Sequence, residues 1–326
     1  MGFFVRKPRQ RGTRLFFATD VHGSERCFRK FLNAAKLYDV SHLVLGGDMT
    51  GKVVVPIWRE GSSGYRCRYG DTDHTGLNRE GVSALGEVIR GFGHYPYVIE
   101  DKSELEQLAD PSYQDVVFRR VVRGSVAEWI ALAETRLRGS GIRCFMAPGN
   151  DDYLEIDRPI QDSDVVEYVE GKRVRLDEDH EMITTGYSNP TPWNTERELA
   201  ELELRERIDG MTAGVGDASN LIAVLHAPPY RSSLDDAPLL DDALGMKLTG
   251  TGVVMTPVGS IAVREFIEES QPLLGLHGHV HESGGGTHIG RTLCVNPGSS
   301  YTEGVLSGVI VVLGKDSVIS HQFVSG

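Results

Sequence analysis

The chain has no closely spaced pair of cysteines. Its four, Cys27, Cys67, Cys144 and Cys294, are scattered, which excludes a CxxC zinc or redox motif and leaves buried free thiols in a reducing compartment. Long apolar runs are missing as well. Val309 to Leu313 is among the longest, whereas about 18 or more residues are needed to span a bilayer. Met1 to Thr13 is basic but lacks the apolar centre of a secretory leader. Position six is Arg6, so the Met1-Gly2 start is not a myristoylation signal. These absences point to a cytoplasmic protein without a membrane partner. Positive charge is in deficit, with 34 Lys and Arg against 46 Asp and Glu and a net charge of −12. Such a surface repels a nucleic-acid backbone, so stable nucleic-acid binding is not expected. A small nucleotide stays admissible, because bound metals reverse the field inside a cleft. No internal repeat or low-complexity tract is present.

What the chain does contain is ordinary globular material. With 326 residues, 40% hydrophobic and 25% charged, it can bury a full core without disulfides. A single domain over residues 1–326 is the simplest organisation. Arg14 to Thr19 reads as a short buried strand ending at Asp20. Ser24 can cap a helix over Glu25 to Leu37, with Phe28, Phe31 and Leu32 on its apolar face. His42 to Gly46 is a second strand, ending at Gly47-Asp48. Strand, helix and strand in so short a span form a βαβ unit of a parallel sheet.

Residues 52–110 break this rhythm and are read as an insertion packed on the main sheet. Within it, Val53 to Tyr69 suits a hairpin around Gly61-Ser62-Ser63-Gly64, and Asn78 to Arg90 suits a helix. Its tyrosines and Trp58 argue against disorder. Beyond it come a helix over Tyr113 to Arg138, a strand over Ile142 to Ala147 and two edge strands over Arg173 to Ile183. A charged helix over Thr195 to Ile208 follows, capped by Asn194 or Thr195. Then come a strand over Leu221 to Leu225, a helix over Gly259 to Glu269 and a strand over Pro272 to Leu276. The tail reads as strands over Gly286 to Ile289, Arg291 to Val295, Gly308 to Leu313 and Val318 to Phe323.

One regularity outweighs every boundary. Five strands end in residues able to bind a metal: Asp20 and His22, Asp48, Asn150, His226, and His279 with His281. In parallel α/β sheets the carboxyl ends of the strands share one edge, where ligands bind. Each piece alone is bland. An Asp after a strand is usually a turn former, and a His after an apolar run is usually a hydrogen-bonded core residue. His42, His74, His94, His180, His288 and His321 show no comparable pattern, and His277 is read as facing the core beside the site.

Taken in order, Asp-x-His, Gly-Asp, Gly-Asn, His and Gly-His-x-His resembles the calcineurin-like metallophosphoesterase superfamily, in its prokaryotic phosphodiesterase branch. The resemblance runs from Arg14 to about Gly298 and leaves out the insertion. It implies a four-layer α/β/β/α sandwich and two divalent transition-metal ions (Mn, Fe, Zn, Co or Ni). One ion would be held by Asp20, His22, Asp48 and His281, the other by Asp48, Asn150, His226 and His279. Mixed imidazole and carboxylate donors suit these metals better than Ca or Mg. The implied reaction is in-line attack on phosphorus by a hydroxide activated between the two ions. After two carboxylates and one hydroxide are counted, about one positive charge remains to attract a phosphoryl group. Asp48 and Asn150 are thereby catalytic candidates.

The third motif departs from the family's commonest form. Gly149-Asn150-Asp151-Asp152 carries Asp151 where a histidine usually contacts phosphate. A carboxylate repels a phosphate oxygen at neutral pH, so Asp151 is read as orienting a ligand or a water. Arg231, in His226-Ala-Pro-Pro-Tyr-Arg231, is a candidate substrate contact. The insertion follows Asp48 directly, which places it as a cap over the site, with Arg59, Arg66, Arg68 and His74 as candidate readers of the substrate. The expected partner is a small phosphoester, and the expected activity a phosphodiesterase. The alternatives are a phosphomonoesterase, nucleotidase or protein phosphatase, and a non-catalytic metal-binding module on the same fold.

Overall fold

The computed structural model describes residues 12–62, 64–241, 243–250 and 252–326. The basic residues before Gly12, and Ser63 at the tip of the expected hairpin, lie outside the described residues.

The first half supplies four strands of one sheet and the helices that cover it. Strand β1 (Thr13–Ala18) leads into helix α1 (Glu25–Leu37) and strand β2 (His42–Gly46). Ser24 caps α1 by accepting from the Cys27 amide, and Cys27, Phe28, Phe31 and Leu32 form its buried face. The insertion then supplies β3 (Val53–Arg59), β4 (Tyr65–Tyr69), β5 (Thr72–Leu77), α2 (Arg79–Gly91), β6 (His94–Ile99) and α3 (Lys102–Gln107). Helix α4 (Pro111–Leu137), strand β7 (Arg143–Ala147), helix α5 (Asp157–Gln161) and strand β8 (Val166–Tyr168) complete this half. Asp110 caps α4, and Pro111 occupies its first turn, where a missing amide costs nothing.

The second half begins with β9 (Lys172–Arg175), β10 (Glu181–Thr185), α6 (Glu201–Thr212) and β11 (Leu221–Leu225). A flap follows, made of β12 (Asp236–Pro238), β13 (Leu248–Thr249), β14 (Gly252–Val253) and β15 (Met255–Pro257). After it come α7 (Ile261–Ser270), β16 (Leu274–Leu276), β17 (Gly285–Ile289), β18 (Thr292–Asn296), β19 (Ser307–Leu313) and β20 (Val318–Ser325).

Two six-stranded sheets result, in the orders β20-β19-β1-β2-β7-β8 and β17-β18-β16-β11-β10-β9. Strands β1, β2, β7 and β8 run parallel in the first, and β10, β11, β16 and β18 in the second. The sheets face each other. Leu15, Phe17, Val44 and Phe145 of one pack with Ile222, Val224, Leu274 and Val295 of the other. Period-two alternation sends Phe16, Leu43 and Leu45 to the opposite face, under α1 and α4. There Phe28 stacks on Trp129 with ring centroids 4.3 Å apart. Helices α6 and α7 cover the outer face of the second sheet through Leu204, Ile208, Phe266 and Ile267. The expected four-layer α/β/β/α sandwich is what the chain forms.

Three expectations need correction. The helix expected over Thr195 to Ile208 starts instead at Glu201. The Glu198 carboxylate gathers the amides and hydroxyls of Thr191 and Thr195, and this holds the preceding segment as a loop. Of the two edge strands over 173–183, only β9 is at an edge; β10 is flanked by β9 and β11. The insertion does not lie on the main sheet. Helices α1 and α4 already cover that face, so the insertion packs beside them. Ser24 donates to the Gly91 carbonyl at 2.8 Å, and Tyr95 meets Phe118 edge-on. It is a four-stranded sheet ordered β5-β4-β3-β6, with its own small core of Val55, Ile57, Tyr65, Cys67, Leu85 and Ile89.

Candidate metal centre

The carboxyl ends of β1, β2, β7, β11 and β16 deliver the site. Asp20 and His22 follow β1, Asp48 follows β2, Asn150 follows β7, His226 follows β11, and His279 and His281 follow β16. Asp20, His22, Asp48, Asn150 and His226 are buried. Two separate donor sets form, Asp20 with His22 and His281, and Asp48 with His226 and His279; a third group, His22, Asp48 and Asp151, overlaps both. In the first, His22 Nε2 and His281 Nε2 are 2.9 Å apart. His281 Nε2 is 3.3 Å from Asp20 Oδ1, and His22 Nε2 is 3.8 Å from Asp48 Oδ2. In the second, His226 Nε2 is 3.3 Å from Asp48 Oδ2, and His279 Nδ1 is 2.7 Å from Asn150 Oδ1. Asp48 Oδ2 therefore faces both sets. All seven residues singled out in the sequence are brought together.

The backbone is bent to make this possible. Asp20, His22, Asp48 and His279 have φ of 53°, 38°, 50° and 69°. Such conformations cost about 1–3 kcal/mol each in non-glycine residues and gather at functional sites. Gly149 lets the third loop close, since a β-carbon there would collide with the Asp48 carboxylate and amide. Asp152 laces two loops together, its carboxylate accepting from the amides of Met49, Thr50 and Gly149 and from the Thr50 hydroxyl.

Electrostatics favour positive charge between the donors. Burial alone would raise the carboxyl of Asp20, but His226 and His281 hold it below its ordinary value. Asp48 is lowered likewise, against burial, by His226 and His22. Burial pushes His22 and His279 down to about 4. Burial opposes protonation of His226 too, yet Asp48 and Asp20 win and push it up to about 10. His226 Nδ1 faces the Gly46 carbonyl at 3.0 Å, which sets its tautomer and leaves Nε2 aimed at the carboxylates. That buried Nε2 has no hydrogen-bond partner. Such an orphaned imidazole nitrogen beside two carboxylates fits a divalent transition metal.

Other residues support the ring of donors, some of them, such as Lys52 and Tyr301, without having drawn notice in the sequence. Thr195 Oγ1 accepts from Asn150 Nδ2 at 3.1 Å, leaving Oδ1 turned to His279. Its place in the chain looked like a helix cap, and only the Glu198 loop reveals its use. Tyr301 lies over His22 with centroids 4.6 Å apart. Lys52, the first residue of the insertion, forms an ion pair with Asp151. The one available signal for it was a cation four residues after Asp48. Asp151 donates its amide to Asp48 Oδ1 at 3.0 Å, and its carboxylate lies 3.9 Å from His22 Nδ1. Burial, with Asp48 nearby, raises its pKa, against the pull of Lys52. His277 is buried, with Nδ1 on the Leu225 carbonyl.

Two candidates are not brought to the cluster. Arg231 is exposed, with its amide held by Asp235 at φ 53° and its guanidinium over the Tyr230 ring. It does not line the cavity beside the cluster. The insertion's polar groups pair with one another: Arg66 with Asp73 and Glu60, and Arg59 with Glu100. Lys52 is its one described residue that lines the cavity. The segment meets the site through the loop after Asp48, where Tyr95 Oη accepts from the Gly51 amide.

Comparison with known proteins places the architecture. One solved chain superposes with a TM-score of 0.56 at 13% identity over 95% of this chain and 98% of its own. TT1561 of Thermus thermophilus does so with a TM-score of 0.52 at 13% identity, covering 97% and 98%. The chain shares the overall fold of these two structures along nearly its whole length. In this fold the donor cluster described above sits on the common strand-end edge of both sheets. No family model matches the sequence. The uncharacterized protein MJ1162 of Methanocaldococcus jannaschii is 30% identical over 152 residues, 46% of this chain. The match spans 61% of that relative's length. Among the described residues no helix is long and apolar enough to cross a membrane.

Proposed function

We propose that the protein is a phosphoester hydrolase dependent on two divalent transition metals, with phosphodiesters as its substrates. The observation that supports this most is the pair of donor sets facing Asp48 Oδ2, one of them containing the buried, unpartnered His226 Nε2. Asp20, His22, Asp48 and His281 would hold one ion, and Asp48, Asn150, His226 and His279 the other. A pair of such ions, when bound, supplies Lewis acidity toward a phosphoryl group and acidifies water to near neutral pH.

The chain's own groups do the rest. Gly46 and Thr195 orient His226 and Asn150. Thr19 donates to Asp20 Oδ2 at 2.7 Å, and the His279 amide donates to the same carboxylate, which fixes Asp20 at its post. Tyr301 screens the His22 ring from solvent. Asp151 steadies His22 and Asp48 at the margin of the site, in place of a histidine that would meet the phosphoryl group directly. Lys52 is the one described Lys or Arg lining the cavity, and Asp151 engages it. Little positive charge is left for a dianion, which favours a monoanionic diester over a monoester.

The test is hydrolysis of bis-p-nitrophenyl phosphate and p-nitrophenyl phosphate by Mn²⁺-loaded protein, with Asp48→Asn as control. Diester turnover that vanishes in the control is expected. A preference for the monoester would replace the diesterase reading with a monoesterase. Absence of turnover with Mn²⁺, Ni²⁺, Co²⁺ and Zn²⁺ would count against the enzyme reading.

A further inference from the structure

The cavity beside the donor cluster is far larger than a phosphoryl group requires. Its volume is about 660 Å³, within the range that accommodates a whole small molecule. One end is polar, formed by Asp48, Asn150, His279 and His281. The wall is not. It comes from the loop over residues 189–193 and from the flap over residues 236–258, and Trp193, Leu239, Leu240, Met246, Pro257 and Val258 dominate it. The flap is held by the β12–β15 ladder and tipped by the β13–β14 pair.

Two further observations narrow what this wall can receive. Among the described residues, the charged ones lining the cavity outside the donor cluster are Lys52, its partner Asp151, and Glu282. A polyphosphate, a polynucleotide or an acidic peptide would find no cation there beyond the one that Asp151 already engages. The apolar surface also does not stop at the cavity. Trp193 and Met246 are each 59% exposed, and Leu244, Leu248, Val253 and Met255 carry exposed apolar side chains along the rest of the flap. Contiguous exposed apolar surface on a soluble protein marks a binding site. A single planar ring would cover only its start, whereas a chain would follow it outward.

We infer that the substrate is an amphiphilic phosphoester, with one phosphoryl group at the donor cluster and a long, uncharged apolar group lying along Trp193, Leu240 and Met246. The inference rests on the phosphoesterase reading and adds the chemistry of the group that the flap selects. Trp193 and Met246 are specificity residues, remote from the bond that breaks.

The experiment compares p-nitrophenyl octyl phosphate with p-nitrophenyl methyl phosphate, which share a leaving group. The Mn²⁺-loaded wild type, Trp193→Ala and Met246→Ser are assayed; both positions are exposed, so the fold is not at risk. Wild type should favour the octyl ester by at least about tenfold in kcat/KM, through KM. Each variant should erode that preference, raising KM for the octyl ester several-fold more than for the methyl ester. Equal kcat/KM for the two esters, unmoved by either variant, would overturn the inference and leave the phosphoesterase reading intact. Failure of that reading shows separately, as no turnover of either ester. Binding then decides the question of the wall. Saturable quenching of tryptophan fluorescence by octylphosphonate but not methylphosphonate, lost in Trp193→Phe, supports the apolar track, and its absence overturns it.

Discussion

The two edges of the paired sheets use the same side chain in opposite ways. At the amino edge, His180 sits in the turn before β10, with Nδ1 on Asp177 and Nε2 on the Gly314 carbonyl at 2.9 Å. His42 begins β2 there, with Nδ1 beside Ser41 and Nε2 on the Leu176 carbonyl. Both ring nitrogens of each are spoken for. At the carboxyl edge, His22 Nδ1 and His226 Nε2 are buried without hydrogen-bond partners. His22 and His281 turn nitrogens toward each other beside Asp20. A buried polar atom left unpaired costs about 1–3 kcal/mol, and left-handed backbone at four donor positions adds to it. One edge is built to hold the fold; the other is kept in tension for something that binds there.

This contrast can be broken by experiment. The largest effect is expected from Asp48→Asn, which weakens both donor sets. Activity should fall to background, well beyond the roughly 10–100-fold that residues supporting metal ligands cost. Metal content should fall, and so should the rise in melting temperature on adding Mn²⁺, which a bound ligand contributes by mass action. Circular dichroism should stay unchanged. If the variant keeps full activity, the shared-ligand assignment is wrong.

Next comes a matched pair of substitutions. His226→Gln should abolish metal-dependent activity and the rise in melting temperature that added Mn²⁺ gives. His180→Gln should do the reverse, keeping kcat while lowering stability by about 1–3 kcal/mol in urea denaturation. Equivalent behaviour of the two variants would erase the distinction between the edges.

Asp152→Asn should fall between these extremes. Four donors converge on that carboxylate, and an amide cannot accept from all of them. Stability should drop by about 1–3 kcal/mol for each donor left unpaired. Metal affinity, measured by competition with a chelator, should weaken by roughly 10–100-fold because Asp48 and Asn150 lose their register.

The smallest effect concerns pH at the structural edge. Burial would raise the Asp177 carboxyl, but its bonds to Thr13, His180 and Asp179 hold it below its ordinary value. A lowered folded-state pKa contributes stability above the unfolded value of about 4, and that contribution is lost as the pH falls through the folded value. The stability difference between wild type and Asp177→Asn should therefore be full at neutral pH and shrink under acid conditions. A gap that grows toward acid would contradict the sign.

The molecule also shows which parts of a sequence speak for themselves. Helix α1 and its cap were legible because Ser24, Phe28, Phe31 and Leu32 carry a local signal with a local cause. So were β2 and β11, whose apolar runs are short and cleanly ended. The seven donors were legible as a set because each closes a strand, and parallel sheets gather strand ends at one edge. The start of α6 was misread because Glu198 reaches back to Thr191 and Thr195, and such side-chain bonds compete with helix formation without leaving a periodic mark.

By itself, then, the sequence placed seven metal-competent residues at strand ends, since strand order shows where each apolar run stops, and the order of its motifs implied the layer architecture by resemblance. Tertiary structure alone decided how the donors are served. It gave Thr195 to Asn150, Lys52 to Asp151 and Tyr301 to His22, pairings that join residues 45, 99 and 279 positions apart. It also left Arg231 out of the cavity lining, tied the insertion to the loop after Asp48, and brought an apolar flap from the second half to the mouth of the site. These outcomes depend on side-chain bonds and loop packing between distant segments, and no window of sequence contains both partners.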